Sequence, residues 1–220
     1  MLAFDIETGP LSEEVLRELC PPFDPSEIKC GNLGPEKAAE KIKKAEAEHF
    51  ENFRSSAALS ATTGRVLAIG YASDKLTFIA HEPAEEQLIE SFWSKFAACE
   101  SAGRTMVGHN IHGFDLPFLI RRSWMLGLDP PVDKLLSQGR YWNRILVDTM
   151  QRWQCGNYRD YVKLDILARS LGHNGKPDEI TGADFARLYF GTEQERQQAL
   201  DYLKNDLEMT RAVAIAMGII

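Results

Sequence analysis

The chain opens with MLAFDIETGP at residues 1–10, and this stretch decides how the rest of the sequence is interpreted. Leu2, Phe4 and Ile6 recur at every second position, which is the period of a β-strand with one apolar face. Asp5 and Glu7 lie between them and project from the opposite face, where both can reach a common ion. Two unpaired acids repel each other and are costly to desolvate, so the pair favours a divalent cation between them. The alternative is a polar edge strand with two solvated carboxylates.

Four further strands are predicted downstream of this one. They are RVLAIGYA from Arg65, LTFIA from Leu76, TMVGH from Thr105 and RILVD from Arg144. The first two are joined by a short polar turn and predict a hairpin, whereas the later strands alternate with helices that follow Pro83 and Asp115. This order predicts an α/β fold, with a five-stranded mixed sheet flanked by helices.

A long closing helix is predicted near the C-terminus. Thr192 and Glu195 fit a capping box, and apolar residues keep helical spacing behind it. Tyr202 and Asp206 are four positions apart and therefore lie on one face of this helix. Taken alone, they describe an ordinary amphipathic helix with a surface tyrosine.

A helical insertion is predicted after the first strand, at about residues 11–57. A proline-rich segment, PPFDPSE, precedes PEKAAEKIKKAEAEHFENFRSS, in which Pro35 suits the first position of a helix. The apolar stripe of this helix is thin. We interpret the segment as a solvated helix at the edge of a single domain covering residues 1–220; the alternative is a lid or clamp near a substrate.

Composition limits the classes of function. A chain of 220 residues, 44% of them hydrophobic, can form one sizeable core. The net charge of −7 argues against a protein that coats duplex DNA with a broad basic face. Nucleic acid as a partner is still allowed, because an enzyme that grips a few terminal nucleotides can use bound divalent metals as its positive charge.

The lack of a recognisable export signal or membrane span predicts a cytoplasmic protein with no membrane partner. No apolar run approaches the roughly 20 residues that cross a bilayer, and the first residues lack the basic start and cleavage site of an export signal. The cysteines are scattered without CxxC pairing, which favours free thiols over a zinc site or a disulfide.

Three motifs follow one another along the chain: Asp5-Ile6-Glu7, Asn110 to Asp115, and Tyr202 to Asp206. This ordered set resembles the DEDD exonuclease superfamily, whose fold is ribonuclease H-like. A tyrosine four positions before the last aspartate is the mark of the DEDDy subgroup; the other subgroup has a histidine where this chain has Asp201. The DIETGP, LSATTGRVLAIGYA and ITGADFARLYFG segments further resemble the stand-alone relatives of the proofreading domain of B-family DNA polymerases. The resemblance spans the chain apart from about residues 11–57.

The resemblance implies a 3′-to-5′ exonuclease that releases nucleoside monophosphates by a two-metal-ion mechanism. By their places in the motifs, Asp5, Glu7, Asp115 and Asp206 would hold the metals, and Tyr202 would orient or help deprotonate the attacking water. Hard oxygen ligands without His or Cys match Mg²⁺ or Mn²⁺ rather than zinc. For Asp115 alone, the competing interpretation is a helix N-cap.

The resemblance also implies contacts with the terminal nucleotides. Thr8 and Gly9 would meet the 3′ end, and Asn110 and Phe114 would hold or stack the bases. Phe114 has an equal alternative as a core side chain beside Phe118.

Other polar residues near the motifs have competing interpretations. His109 and His112 flank the second motif and are interpreted as structural histidines, and Asp148 and Asp165 as helix caps. Candidate phosphate contacts, against the alternative of ordinary surface cations, are Arg121, Arg122, Arg159 and Lys163.

The expected substrate is the 3′ end of single-stranded DNA, and two alternatives stay open. RNA or short oligonucleotides would suit the same chemistry, since no motif reports on the 2′ hydroxyl. A non-catalytic module could use the same fold for nucleic-acid or partner binding. A polymerase or repair partner would have to be engaged in trans, because no polymerase domain fits in 220 residues.

Overall fold

The computed structural model describes residues 1–81, 84–132, 145–175 and 180–219. The chain divides into two compact units. Met1–Thr8 and Val66–Ile220 form the first, here called the sheet unit, and Gly9–Arg65 form the second, here called the inserted unit. The interpretation of residues 1–220 as a single domain remains a prediction.

One mixed sheet organises the fold. Its strands are β1 (Leu2–Pro10), β2 (Gly64–Ala72), β3 (Thr77–Ala80), β4 (Met106–Gly108) and β5 (Leu146–Asp148). The strand order is β3-β2-β1-β4-β5, with β2 and β3 antiparallel and β4 parallel to both β1 and β5. The predicted mixed five-stranded sheet and its hairpin are therefore confirmed, while Arg144 of the predicted fifth strand lies outside the described residues.

The helices in the described part of the chain are α1 (Glu13–Leu19), α2 (Pro35–Ser56), α3 (Glu85–Ser101), α4 (Asp115–Met125), α5 (Thr149–Gln154), α6 (Leu164–Ser170), α7 (Gly182–Tyr189) and α8 (Glu193–Ala216). Helices α2, α3, α4 and α8 were predicted; Pro83, from which α3 was predicted to follow, lies outside the described residues. Helices α5 and α6 were predicted only through the interpretation of Asp148 and Asp165 as helix caps, and helices α1 and α7 were not predicted.

Helices cover both faces of the sheet, and neighbouring residues of β1 show how. The Phe4 ring contacts Phe92 of α3, with ring centroids 5.1 Å apart. Ala3, whose side chain points the opposite way, belongs to a buried cluster with Leu203 and Leu207 of α8. Helices α3 and α8 therefore lie on opposite faces, and the face that carries Ala3 continues toward Asp5 and Glu7.

The inserted unit has only a small buried core of its own. Leu16, Ala57 and Ala61 are buried, whereas no residue of α2 is. Pro35 begins α2 at the first helical position, as predicted. Helix α1 contacts α2 through the Arg17 guanidinium, which lies 4.2 Å from the centre of the Phe50 ring.

Within the described ranges, no helix is both long and apolar enough to cross a membrane.

Candidate active site

Carboxylates from the first strand and the last helix converge in the sheet unit. Asp5 and Glu7 of β1 and Asp206 of α8 each offer an oxygen, and these oxygens lie within 4.8 Å of one another. Asp5 and Glu7 are half-buried, and Asp206 is 6% exposed. Such a cluster of negative charges is unfavourable unless protons or cations compensate it.

The position of helix α8 depends on the capping of its first turn and on its packing against the sheet. The predicted capping box is present, because Thr192 and Glu195 bond to each other's backbone N–H groups. One turn beyond Leu203, Leu207 approaches the sheet so closely that a Cβ at Gly70 would lie 2.5 Å from its Cδ1. The glycine therefore permits the close approach of helix and strand that brings Tyr202 and Asp206 toward β1.

The turn before α4 is built by the second predicted motif. Asn110 has a φ of 63°, a left-handed conformation that asparagine tolerates better than most residues. Gly113 leaves room for the Asn110 side chain, since a Cβ at position 113 would lie 2.3 Å from Asn110 Oδ1 and would force that side chain to move. Asp148 accepts hydrogen bonds from the backbone N–H groups of Asn110 and His112, at 2.8 and 3.0 Å. These contacts fix where α4 begins.

Asp115 lies at that beginning and reaches back to the first strand. Its carboxylate accepts a hydrogen bond from the Ile6 N–H at 3.2 Å, and Asp5 accepts from the same N–H at 3.1 Å. The N-cap position belongs to Phe114, so the interpretation of Asp115 as an N-cap is wrong. Burial raises the pKa of Asp115 to about 7, although the Ile6 hydrogen bond acts in the opposite direction.

Tyr202 lies beside the acids on α8. Its hydroxyl is hydrogen-bonded with Asp206. Burial, followed by the negative charges of Asp206, Glu7 and Asp5, raises the pKa of Tyr202 above its ordinary value. Burial and the neighbouring acids therefore both favour the protonated phenol, which can donate a hydrogen bond.

An open cleft of about 810 Å³ borders the acids. Four of the predicted site residues line it: Asp5, Asn110, Tyr202 and Asp206. The rest of its lining is His109, Met150, Tyr161, Val162, Lys163, Leu164, Asp165, Ile180, Thr181, Gly182 and Thr210. The cleft thus combines elements that are far apart in sequence, from β1 to α8.

Three of the predicted substrate contacts are not among the residues that line this cleft. Thr8 and Gly9 are buried in β1. Phe114 contacts Phe118, with ring centroids 5.5 Å apart, which is the geometry of its alternative interpretation as a core side chain. The roles of these residues in binding substrate remain predictions.

His109 and Asp148 have structural contacts, as interpreted from the sequence. The ring nitrogens of His109 lie 2.8 Å from Thr149 Oγ1 and 2.9 Å from the Val162 carbonyl oxygen. Asp148 is the N-cap of α5. Asp165 is not an N-cap, because Lys163 occupies that position of α6 and Asp165 pairs with Arg169 instead.

The four candidate phosphate contacts have different environments. Arg122 is buried and forms an ion pair with Glu85 at 2.7 Å, so the alternative of an ordinary surface cation is wrong, and its role as a phosphate contact remains a prediction. Lys163 is exposed and lines the cleft. Arg121 and Arg159 are exposed but are not among the cleft residues.

Sequence reasoning missed most of the remaining cleft lining. Thr210 had a readable signal, because it continues the four-residue spacing of Tyr202 and Asp206 on α8. Thr181 had another, since it forms a capping box with Asp184 at the start of α7. Tyr161 lies in an irregular segment without any periodicity, and the sequence carries no signal that it would reach the cleft.

The donor set fits divalent metal ions. Carboxylate oxygens are hard ligands of the kind that Mg²⁺ and Mn²⁺ prefer, and no cysteine lines the cleft. His109, the histidine in the described cleft lining, has both ring nitrogens in hydrogen bonds. The chemistry of the cluster therefore matches oxygen-coordinated cations better than zinc.

A family model of the RNase_H superfamily matches residues 56–217. The chain belongs to the RNase_H superfamily. The match includes β4, α4 and α8 but begins after β1, so Asp5 and Glu7 lie outside it. The predicted ribonuclease H-like fold is confirmed. Membership supports a nuclease, an enzyme whose substrate is nucleic acid and whose typical cofactors are divalent metals.

Two similar proteins extend this comparison. An uncharacterized protein of Methanocaldococcus jannaschii is 28% identical over 152 residues, which are 66% of this chain and 81% of the archaeal protein. The structure of the family B DNA polymerase from the hyperthermophilic archaeon Pyrobaculum calidifontis is similar with a TM-score of 0.58 and 19% identity. That similarity covers 97% of this chain but only 24% of the polymerase. At this identity it shows the shared fold alone.

Proposed function

We propose that this protein is a metal-dependent 3′-to-5′ exonuclease that hydrolyses single-stranded DNA from its 3′ end and releases nucleoside monophosphates. One observation carries the proposal: carboxylates from β1 and α8 cluster at an open cleft, and a carboxylate from the start of α4 bonds to the backbone of the same β1 strand. Asp5 and Asp115 share one backbone N–H, and Asp5, Glu7 and Asp206 have oxygens within 4.8 Å of one another.

The four acids have a chemical role in common. Asp5, Glu7, Asp115 and Asp206 would hold divalent ions. Such ions, when bound, supply activation of a water for in-line attack on phosphorus and stabilisation of the leaving 3′ oxygen. Without a cation the cluster has no evident use, because repulsion between the carboxylates and their partial burial both oppose it.

Tyr202 is proposed to orient the attacking water. Its hydroxyl is hydrogen-bonded with Asp206, and burial beside three acids keeps the phenol protonated. A protonated hydroxyl can donate one hydrogen bond and accept another, which suits a group that aligns a water.

Substrate contacts are proposed on both sides of the acids. Asn110 and Lys163 line the cleft, where an amide can contact a sugar or base and an exposed ammonium can contact a phosphate. Thr8, Gly9 and Phe114 are retained as proposed contacts with the terminal nucleotides on the strength of their motif positions alone.

The polarity and the choice of DNA rest on resemblance. The tyrosine four positions before the last aspartate matches the DEDDy exonuclease pattern, and the fold is shared with a family B DNA polymerase. We therefore propose editing or repair of DNA ends.

A time course with 3′- and 5′-labelled single-stranded DNA and RNA, with and without Mn²⁺, tests the proposal. We expect a ladder that shortens stepwise from the 3′ end of the 5′-labelled DNA, and an immediate release of label from the 3′-labelled DNA. Faster hydrolysis of RNA would assign the site to an exoribonuclease. Intact substrates, together with no effect of Mn²⁺ on thermal stability, would indicate a non-catalytic binding module.

A further inference from the structure

Tyr161 is a cleft residue to which the proposed chemistry gives no role. It lines the same cleft as Asp5 and Asp206. Its exposed fraction is 74%, the highest among the large apolar and aromatic side chains that the structure describes. Exposed aromatic residues are common on protein surfaces, so exposure alone assigns nothing. The position of this ring beside the acids is what requires explanation.

The backbone that carries Tyr161 is well anchored. The next residue, Val162, has its carbonyl oxygen 2.9 Å from His109 Nε2, and its side chain packs against the buried cluster that contains Leu167 and Met209. Before Tyr161, the Asp160 N–H donates to the Asn157 carbonyl at 3.0 Å. A tyrosine on a fixed backbone loses only two side-chain torsions when it binds a partner, so its ring is presented at a low entropic cost.

The other rings near the acids are engaged elsewhere. Tyr202 is half-buried and hydrogen-bonded with Asp206. Phe114, for which stacking was predicted, packs against Phe118 and is not among the residues that line the cleft. Among the tyrosines of the cleft lining that the structure describes, Tyr161 is therefore the one with an exposed side chain.

We propose that Tyr161 stacks on an unpaired base of the nucleic acid in the cleft and so makes the site selective for single strands. The inference rests on the proposed nuclease function and specifies its substrate. Every base has an aromatic face, which makes stacking tolerant of sequence, as an exonuclease requires. In a duplex the faces are already covered by neighbouring base pairs, whereas an unpaired end offers them.

The test measures binding separately from hydrolysis. Fluorescence anisotropy in Ca²⁺ would follow 5′-labelled single-stranded DNA in which one abasic residue is moved stepwise from the 3′ end, with strand length checked on a gel. We expect Tyr161→Ala to raise the Kd for intact DNA by about 5-fold to 150-fold, which corresponds to about 1 to 3 kcal/mol. Tyr161→Phe keeps the ring and should stay within about 2-fold of the wild type.

The abasic series locates the stacked base. At one position, loss of the base should weaken binding by the wild type but should not weaken binding by Tyr161→Ala any further. The matched control is Tyr158→Ala, since Tyr158 is an exposed tyrosine of the same segment that is not among the cleft residues, and it should bind like the wild type. Unchanged thermal unfolding would exclude a folding defect in each variant.

Two results would overturn the inference in distinguishable ways. If the wild type hydrolyses single strands and Tyr161→Ala binds them equally well, stacking at Tyr161 is excluded while the proposed function stands. If the wild type neither binds nor hydrolyses single strands, both are excluded together.

Discussion

Two sets of acidic residues, one in each unit of this chain, have opposite environments. In the inserted unit, Glu13 and Glu51 are solvent-exposed and pair with arginines one helical turn away. In the sheet unit, half-buried Asp5 and buried Asp206 belong to one cluster, and buried Asp115 shares a backbone N–H with Asp5. The first arrangement is that of a solvated helix surface. The second opposes folding unless something compensates the charges.

This difference separates acids that serve the fold from acids that serve chemistry. An exposed ion pair spaced three or four residues apart on a helix contributes about 0.3 to 0.5 kcal/mol to stability, so the loss of one such acid changes the free energy of unfolding little. Clustered buried carboxylates repel and desolvate one another, so losing one should relieve the metal-free protein and disable the metal-bound one. Substitutions in the two sets of acids should therefore differ in their effects on stability and activity.

The largest expected effect is on turnover. Asp206→Asn keeps the volume of the buried side chain but removes one charged ligand, and we expect the hydrolysis rate to fall by at least about 1,000-fold. Without divalent metal, the variant should be no less stable than the wild type because one repulsive charge is gone. Rates come from single-strand cleavage in excess Mg²⁺, and stability from urea unfolding in EDTA.

The matched control lies in the inserted unit. Glu51→Gln removes an acid whose side chain is 61% exposed and should leave turnover unchanged. If Asp206→Asn hydrolysed the substrate as fast as the wild type, the clustered acids would be no more important for turnover than the exposed acids of the inserted unit.

A smaller loss of rate is expected for Tyr202→Phe. The variant keeps the ring but lacks the hydroxyl that we propose to align the water, so hydrolysis should slow by about 100-fold or more. Metal affinity should change little, because the four carboxylates remain. Cleavage by this variant at the wild-type rate would show that the hydroxyl has no part in hydrolysis.

The third prediction concerns stability alone. Arg122→Leu leaves Glu85 buried without its ion-pair partner, so the free energy of unfolding should fall by about 3 kcal/mol. The comparable substitution in the inserted unit, Arg54→Ala, breaks an exposed pair with Glu51 and should lower it by less than about 1 kcal/mol. Urea denaturation of both variants measures the two losses of unfolding free energy. Similar losses would show that burial does not make the Arg122–Glu85 pair more important for stability than the exposed Arg54–Glu51 pair.

Much of the fold was predictable because its signals are local. The alternation in β1, the Thr192 capping box and the Pro35 helix start each depend on residues a few positions apart. Helix α1 could have been predicted as well, since Ser12 caps it and Glu13 and Glu14 occupy its first turn.

The errors come from contacts that no local pattern encodes. An aspartate ahead of a proline resembles an N-cap, but Asp115 bonds to Ile6, 109 residues away. Arg122 has the appearance of a surface cation in the sequence, and only the packing of α4 against α3 brings Glu85 beside it. The same limit applies to Tyr161, whose place in the cleft depends on the His109 contact with Val162.

The convergence of the acids predicts cation binding, and calorimetric titration with Mn²⁺ measures it most directly. We expect two Mn²⁺ ions per wild-type chain, and at a concentration 100 times the dissociation constant a stabilisation of about 2.7 kcal/mol per site. Asp206→Asn should lose at least one ion and most of the stabilisation, whereas Glu51→Gln should retain both. Equal Mn²⁺ binding by all three proteins, or none by the wild type, would contradict the proposal that Asp5, Glu7, Asp115 and Asp206 form one metal site.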